Sequence, residues 1–238
     1  MSTLKRLPTI NFILWLLLAA AFIWRELVPQ DARFEELQVE RLSIVGPDGH
    51  LYIAISNPER QAMATTHGVI NDPDGGPRDI PGIIFFNRVG DEIGGIIYDG
   101  TDTTSTQTIS FDQQKNDQVM VMMKDEYLDG EEWKRFYGLY FRERMDGTTN
   151  REFFDEFRQD TVGMSLAEQS EATQQFYQQL WGEIDVYRMF LGREENEQIG
   201  LFIYDSKGRE RLKLYVDEND EAKLVVVDST GLEQNFLD

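Results

Sequence analysis

The chain has 238 residues, of which 41% are hydrophobic and 28% charged, the composition of a folded protein rather than a disordered one. Its 43 acids against 23 Lys and Arg leave a formal net charge of −20, which argues against nucleic acid and against a surface lying on anionic lipid. The absence of cysteine excludes disulfides, thiolate zinc sites, covalent c-type haem and iron–sulfur clusters, so packing or a partner must supply the stability.

Residues 1–9 form a short tag carrying Lys5 and Arg6. From Phe12 to Trp24 no side chain is polar, and as a helix residues 10–24 would be about 22 Å long, short of the roughly 30 Å hydrocarbon core. Continuing through Leu27 and Val28 closes most of that gap if Arg25 snorkels to the head groups, and Pro29 then ends the helix. A transmembrane helix over 10–28 is expected, with a stalk over 29–38. Lys5 and Arg6 place the N-terminus in the cytoplasm and the bulk outside it, which for a bacterial inner membrane means the periplasm. A competing reading takes the same run as a cleaved signal peptide with Ala19, Ala20 and Ala21 at the cleavage site; the apolar run continues past them through Phe22, Ile23 and Trp24. No histidine lies in the run, so it offers no imidazole to a haem or chlorophyll.

From residue 39 the texture changes to short alternating apolar runs. Leu42 and Ile44, then Leu51, Ile53 and Ile55, flank Gly46-Pro47-Asp48-Gly49, a hairpin signature. The device recurs at Asn87 to Gly90, Asp205 to Gly208 and Asp228 to Gly231. An Asn or Asp whose oxygen caps the turn amides is followed three residues later by glycine. The last two turns stand 23 residues apart, with Asp217 to Asp220 turning the chain between them. These spacings predict a mainly β domain over 39–238, an antiparallel meander, sandwich or repeat-like β domain with strands of about six or seven residues. Three segments interrupt it: a surface loop over 58–81, a polar connector over 100–108, and a helical insertion over about 147–182. Within the insertion, Ser165 and Glu168 form a capping box ahead of a helix expected over 166–181, with Ala172, Phe176, Leu180, Tyr177 and Trp181 apolar. A shorter helix over 151–159 carries Phe153, Phe154 and Phe157.

Little in the chain carries chemistry. His50 and His67 both lie in or beside glycine turns, and no GxSxG or SxxK marks a nucleophile. Asp72 and Asp74, Asp99 and Asp102, and Asp217 and Asp220 offer oxygens that suit Ca²⁺, but none has EF-hand spacing and turn chemistry accounts for them. No catalytic residue, cofactor or metal site is therefore expected. Two aromatic groups are candidates for partner contact. Phe12, Trp15, Phe22 and Trp24 belong to the apolar run, where mid-membrane Trp15 either packs on a neighbouring helix or faces lipid. Phe153, Phe157, Phe176 and Trp181 belong to the insertion, where the plainer reading is packing on their own domain.

The segments FEELQVERLSIVGPDGHLYIAISN and GLFIYDSKGRERLKLYVDENDEAKLVVVDSTG resemble bacterial single-pass membrane-anchored proteins of uncharacterised function that carry one N-terminal helix followed by β units turning at D-x-x-G. The resemblance covers about half the chain and implies no activity. The expectation is an accessory subunit that docks on integral-membrane subunits of a larger complex, with energy-transducing complexes, respiratory or photosynthetic, as the first hosts. The rival is an anchored module binding glycan, peptide or Ca²⁺, homo-oligomeric in one version, and a third reading is an enzyme with a carboxylate pair in the 58–81 loop.

Overall fold

The computed structural model describes residues 33–71, 78–146, 159–165 and 185–237, with Phe12, residues 14–20, Ile23, Asp155, Phe157, Glu168, Glu171, Ala172 and Gln175. The chain divides into two compact units, Met1–Val39 and Glu40–Asp238. In the first, Phe12, residues 14–20 and Ile23 are helical. Among the described residues no helix is long and apolar enough to cross a membrane, and the rest of the 10–28 run lies outside them.

The second unit is mainly β. Twelve of its strands form one antiparallel sheet in which sequence neighbours pair throughout, from β1 (Arg41–Val45) and β2 (Leu51–Ser56) through β5 (Gly82–Phe86) to β14 (Glu233–Asn235). Between them run β6 (Glu92–Gly100), β7 (Thr104–Asp112), β8 (Gln118–Asp129), β9 (Glu132–Arg144), β10 (Asp185–Arg193), β11 (Ile199–Tyr204), β12 (Glu210–Val216) and β13 (Ala222–Val227). The two remaining strands, β3 (Thr65–Thr66) and β4 (Val69–Ile70), form a separate ribbon. Of the expected architectures this is the meander, and it is open: β1 and β14 are its edges.

Turn chemistry makes the meander. Seven hairpins close with the same pair of backbone bonds, as where Asp205 N donates to Arg209 O at 2.8 Å and Gly208 N to Asp205 O at 3.0 Å. The Asp205 carboxylate accepts the Lys207 and Arg209 amides at 2.9 and 3.1 Å, and Asp228 and Asn87 repeat the arrangement. At the fourth position of six of these turns the backbone takes positive φ, by glycine as at Gly208 (71°) but also by Glu197 (72°) and Asp220 (61°); in the turn at 113 it does so one residue earlier, at Lys115 (62°). The expected turns at 46, 87, 205, 217 and 228 are all present, and the turns at 113, 194 and 217 do without the glycine that the other four carry.

Four expectations need correction. Strands β8 and β9 run 12 and 13 residues, about twice the expected length. Residues 104–108 of the supposed polar connector are the first half of β7; β-branched threonines suit a strand, but without apolar alternation they read as a linker. The 58–81 segment is no plain surface loop: Gln61, Ala62 and Thr66 are buried, and the Gln61 amide donates to Ile80 O at 3.1 Å. Finally, no single 23-residue unit describes a sheet whose hairpin arms vary this much.

In the insertion, Asp155, Phe157, Glu168, Glu171, Ala172 and Gln175 are helical. The capping box is formed reciprocally: Ser165 N donates to Glu168 Oε2 at 2.8 Å and Glu168 N to Ser165 Oγ at 3.4 Å.

The two clusters of buried apolar side chains lie on one face of the sheet. One cluster joins Ala54, Ile84 and Phe86 to Ala62; the other joins Val121, Tyr140, Phe190 and Phe202. The second is a ladder of rings: Phe190 stands 4.6 Å from Tyr140 and 5.7 Å from Phe202, which stands 5.9 Å from Tyr215. Gly138 makes room for it, since a Cβ there would sit 2.2 Å from the Phe190 ring. A ring lying over a strand glycine covers backbone that would otherwise be wet.

Candidate docking face

The register of the strands assigns the opposite face residue by residue. Its first row runs Leu42, Ile55, Ile83, Ile96, Ile109, Met122, Leu139, Leu191, Leu201, Leu214 and Leu224, each paired with the next. Two residues along every strand a second row runs Ile44, Ile53, Phe85, Gly94, Phe111, Met120, Phe141, Met189, Ile203, Leu212 and Val226. No position of either row is polar or charged, and no side chain in them is buried. Met122 is 55% exposed, Phe111 51% and Leu191 50%.

Eleven strands at about 4.8 Å and two rows at about 6.8 Å make this band roughly 50 Å by 14 Å, or about 700 Å². The largest apolar patch on an ordinary monomer is about 300–600 Å². The band is also better segregated than the buried face, where the corresponding row includes Ser43, Ser110 and Lys213. Runs such as GIIFF, VMVMM and LVVV are apolar at successive positions, the pattern of strands covered on both faces. Period-two alternation marks such runs as strands, and only their unbroken apolarity signals that both faces need cover. A shallow hollow of about 490 Å³ opens on this face among Ile109, Met122, Leu139 and Tyr137, with Lys124 and Gln107 at its polar side.

None of the expected contact residues belongs to these rows. Phe12 and Trp15 are exposed, Trp15 at 71%; Phe157 is half-buried. Phe22, Trp24, Phe153, Phe176 and Trp181 lie outside the described residues, as do Asp72 and Asp74.

The polar groups have structural occupations. Where β9 leaves the sheet and β10 returns, the buried Asp185 carboxylate meets Arg142 at 3.2 Å and Arg144 at 3.3 Å; Arg142 also donates to the Tyr187 hydroxyl at 3.0 Å and lies over its ring. Burial raises the Asp185 carboxyl above its ordinary value, while the Arg144 and Arg142 guanidiniums pull it down. The cluster clamps the two strand ends that flank residues 147–184. Asp112 is pushed up to about 7 by burial and by the neighbouring carboxylates of Glu92 and Asp117. Glu92 is itself held by Arg78 through two bonds of 2.8 and 2.6 Å.

His50 packs against Tyr52 and bonds the Asn87 carbonyl at 2.9 Å, and the His67 amide donates to the buried Asp91. Asp217 spends its oxygen on the Glu221 and Asn219 amides, which hold its carboxyl below the ordinary value. Among the described residues no group of three or more His, Asp or Glu is placed to hold a metal ion. A second cleft, of about 530 Å³, lies between β2 and the 58–70 segment, with Arg41, His50, Glu59 and Arg60 at its wall. Comparison with protein-family models, with curated proteins and with solved structures finds no match.

Proposed function

We propose that this chain is a non-catalytic, membrane-anchored structural subunit that docks on and stabilises a larger bacterial membrane-protein assembly. The apolar run over 10–28 is its anchor in the inner membrane, with the N-terminus cytoplasmic and the β domain periplasmic. Its partners are integral-membrane subunits, those of energy-transducing complexes first. The observation that carries this reading is the uncovered aliphatic band: a sheet apolar on both faces needs a second layer, and an interaction surface is the ordinary meaning of a patch this large. The acidic turns around it keep the rest of the domain solvated.

The test is purification of the tagged full-length chain from its native membrane in mild detergent, followed by mass spectrometry. Integral-membrane subunits in stoichiometric amount are the expected result. A chain recovered without any other subunit overturns the reading. The second cleft favours the alternative, an anchored module for a glycan or peptide: Arg41 and Arg60 offer donors beside an apolar floor of Leu51, Ala62 and Phe86. A change in melting temperature with a panel of soluble glycans and peptides would select it.

A further inference from the structure

Resting on the reading of the aliphatic band as a protein-docking surface, we infer that its immediate occupant is a second copy of this chain, stacked face to face on it.

Three observations point there. The first is shape and composition. Apart from Gly94, the band consists of aliphatic and Met side chains with three Phe in regular rows, and such a surface is complementary to itself, as a two-fold interface requires. Two antiparallel sheets stack about 10 Å apart with strand directions within about 30°.

The second is area. Two copies together would withdraw roughly 1,400 Å² from water, inside the ~1,200–2,000 Å² of stable specific interfaces. A band with no charged position matches the more apolar interfaces of homodimers.

The third is charge. The two ends of the sheet differ. The turns at 99–102, 129–132, 194–197 and 217–221 share one end and hold twelve acids and no Lys or Arg. The turns at 46–49, 87–91, 113–117, 205–209 and 228–232 share the other and hold five acids against Arg88, Lys115, Lys207 and Arg209. A two-fold axis along the strands would lay one acidic end over the other, about a Debye length apart. An axis running across the strands reverses the second copy, so each acidic end lies over the partner's mixed end and every strand crosses its own counterpart. Charge therefore selects the second arrangement.

The experiment uses the full-length chain, which lacks cysteine, so each introduced thiol is unique. Leu42→Cys and Leu214→Cys sit near opposite edges of the band, both exposed. Treatment of native membranes with a short bis-maleimide is expected to link each variant to its own kind, because β1 crosses β1 and β12 crosses β12. Sedimentation in density-matched detergent should show two copies of the chain per particle, and Met122→Glu should weaken their association by roughly 100-fold, since a carboxylate would be buried without a partner.

A chain carrying one copy per particle, or a dimer indifferent to Met122→Glu with neither cysteine variant linked, overturns the inference. Linkage of the two cysteines to a different subunit overturns it while leaving the docking reading intact. Absence of both self-linkage and any other subunit overturns both. If Met122→Glu does not fold, the two cysteine variants decide alone.

Discussion

The two faces of the sheet are built from the same strands and differ in kind. On one, Phe190, Phe202 and Tyr140 stack into a ladder, glycine clears their path, and polar side chains such as Ser110 fill the gaps; this face is buried. On the other, Leu139, Leu191, Leu201 and Leu214 stand side by side with no polar neighbour in their row; Leu191 and Leu214 are exposed and Leu139 and Leu201 half-buried. The more apolar face is the uncovered one. Hydrophobicity alone therefore does not say which face of a strand becomes the core. Rings that reach along the sheet can cover their own backbone within a single layer, whereas short aliphatic side chains standing upright need a second layer to meet.

Neighbouring residues on one strand test this contrast most sharply. Phe190→Ala should lower the unfolding free energy by about 3–5 kcal/mol, because a buried ring leaves a cavity. Leu191→Ala, on the opposite face, should cost less than about 1 kcal/mol in urea unfolding below the concentration at which the chain associates. Equal losses would break the comparison.

The next effect belongs to the clamp at the end of the buried face. Asp185→Asn leaves Arg142 and Arg144 without their shared buried carboxylate and should cost about 3 kcal/mol. Proteolysis within residues 147–184 should quicken in the same variant, which limited digestion would detect.

A smaller effect depends on pH. The Asp112 carboxyl, also on the buried face, binds its proton more tightly in the folded protein than in the unfolded chain between about pH 4 and its folded value of about 7. Its contribution is thus favourable at acid pH and is lost as pH rises through 7, with stability falling by about 2 kcal/mol after allowance for solvent. Asp112→Asn should flatten that slope. An unchanged pH profile would mean that solvent reaches the carboxylate freely.

The smallest change touches neither face. Glu197 holds φ 72° at the fourth position of its turn, so Glu197→Gly should raise stability by about 0.5–1 kcal/mol and leave association unaltered.

The expectation of a mainly β domain with Asp- and Asn-capped turns followed from local chemistry. A carboxylate or amide caps the amides two and four residues on, and a glycine takes positive φ, so each turn is specified within five residues. The capping box at Ser165 and Glu168 was legible for the same reason. The turn at 194 was not legible because Glu197 holds the positive φ that the sequence pattern assigns to glycine, and the turn at 113 departs from the pattern by placing positive φ one position earlier, at Lys115. The docking band was missed for a reason of longer range. Side chains alternate with a period of two, and a register slip of one residue would move any strand's apolar set to the other face. Leu191 belongs in a row with Leu139 and Leu201 only because of the pairing of β10 with β9 and β11, across a gap of about forty residues on one side. By itself the sequence determined where the chain turns and that strands lie between the turns, because those depend on contacts a few residues apart. Only the tertiary structure decided which side chains share a face, which face its own rings bury, and which is left for another molecule to cover, because those depend on register between strands distant in sequence.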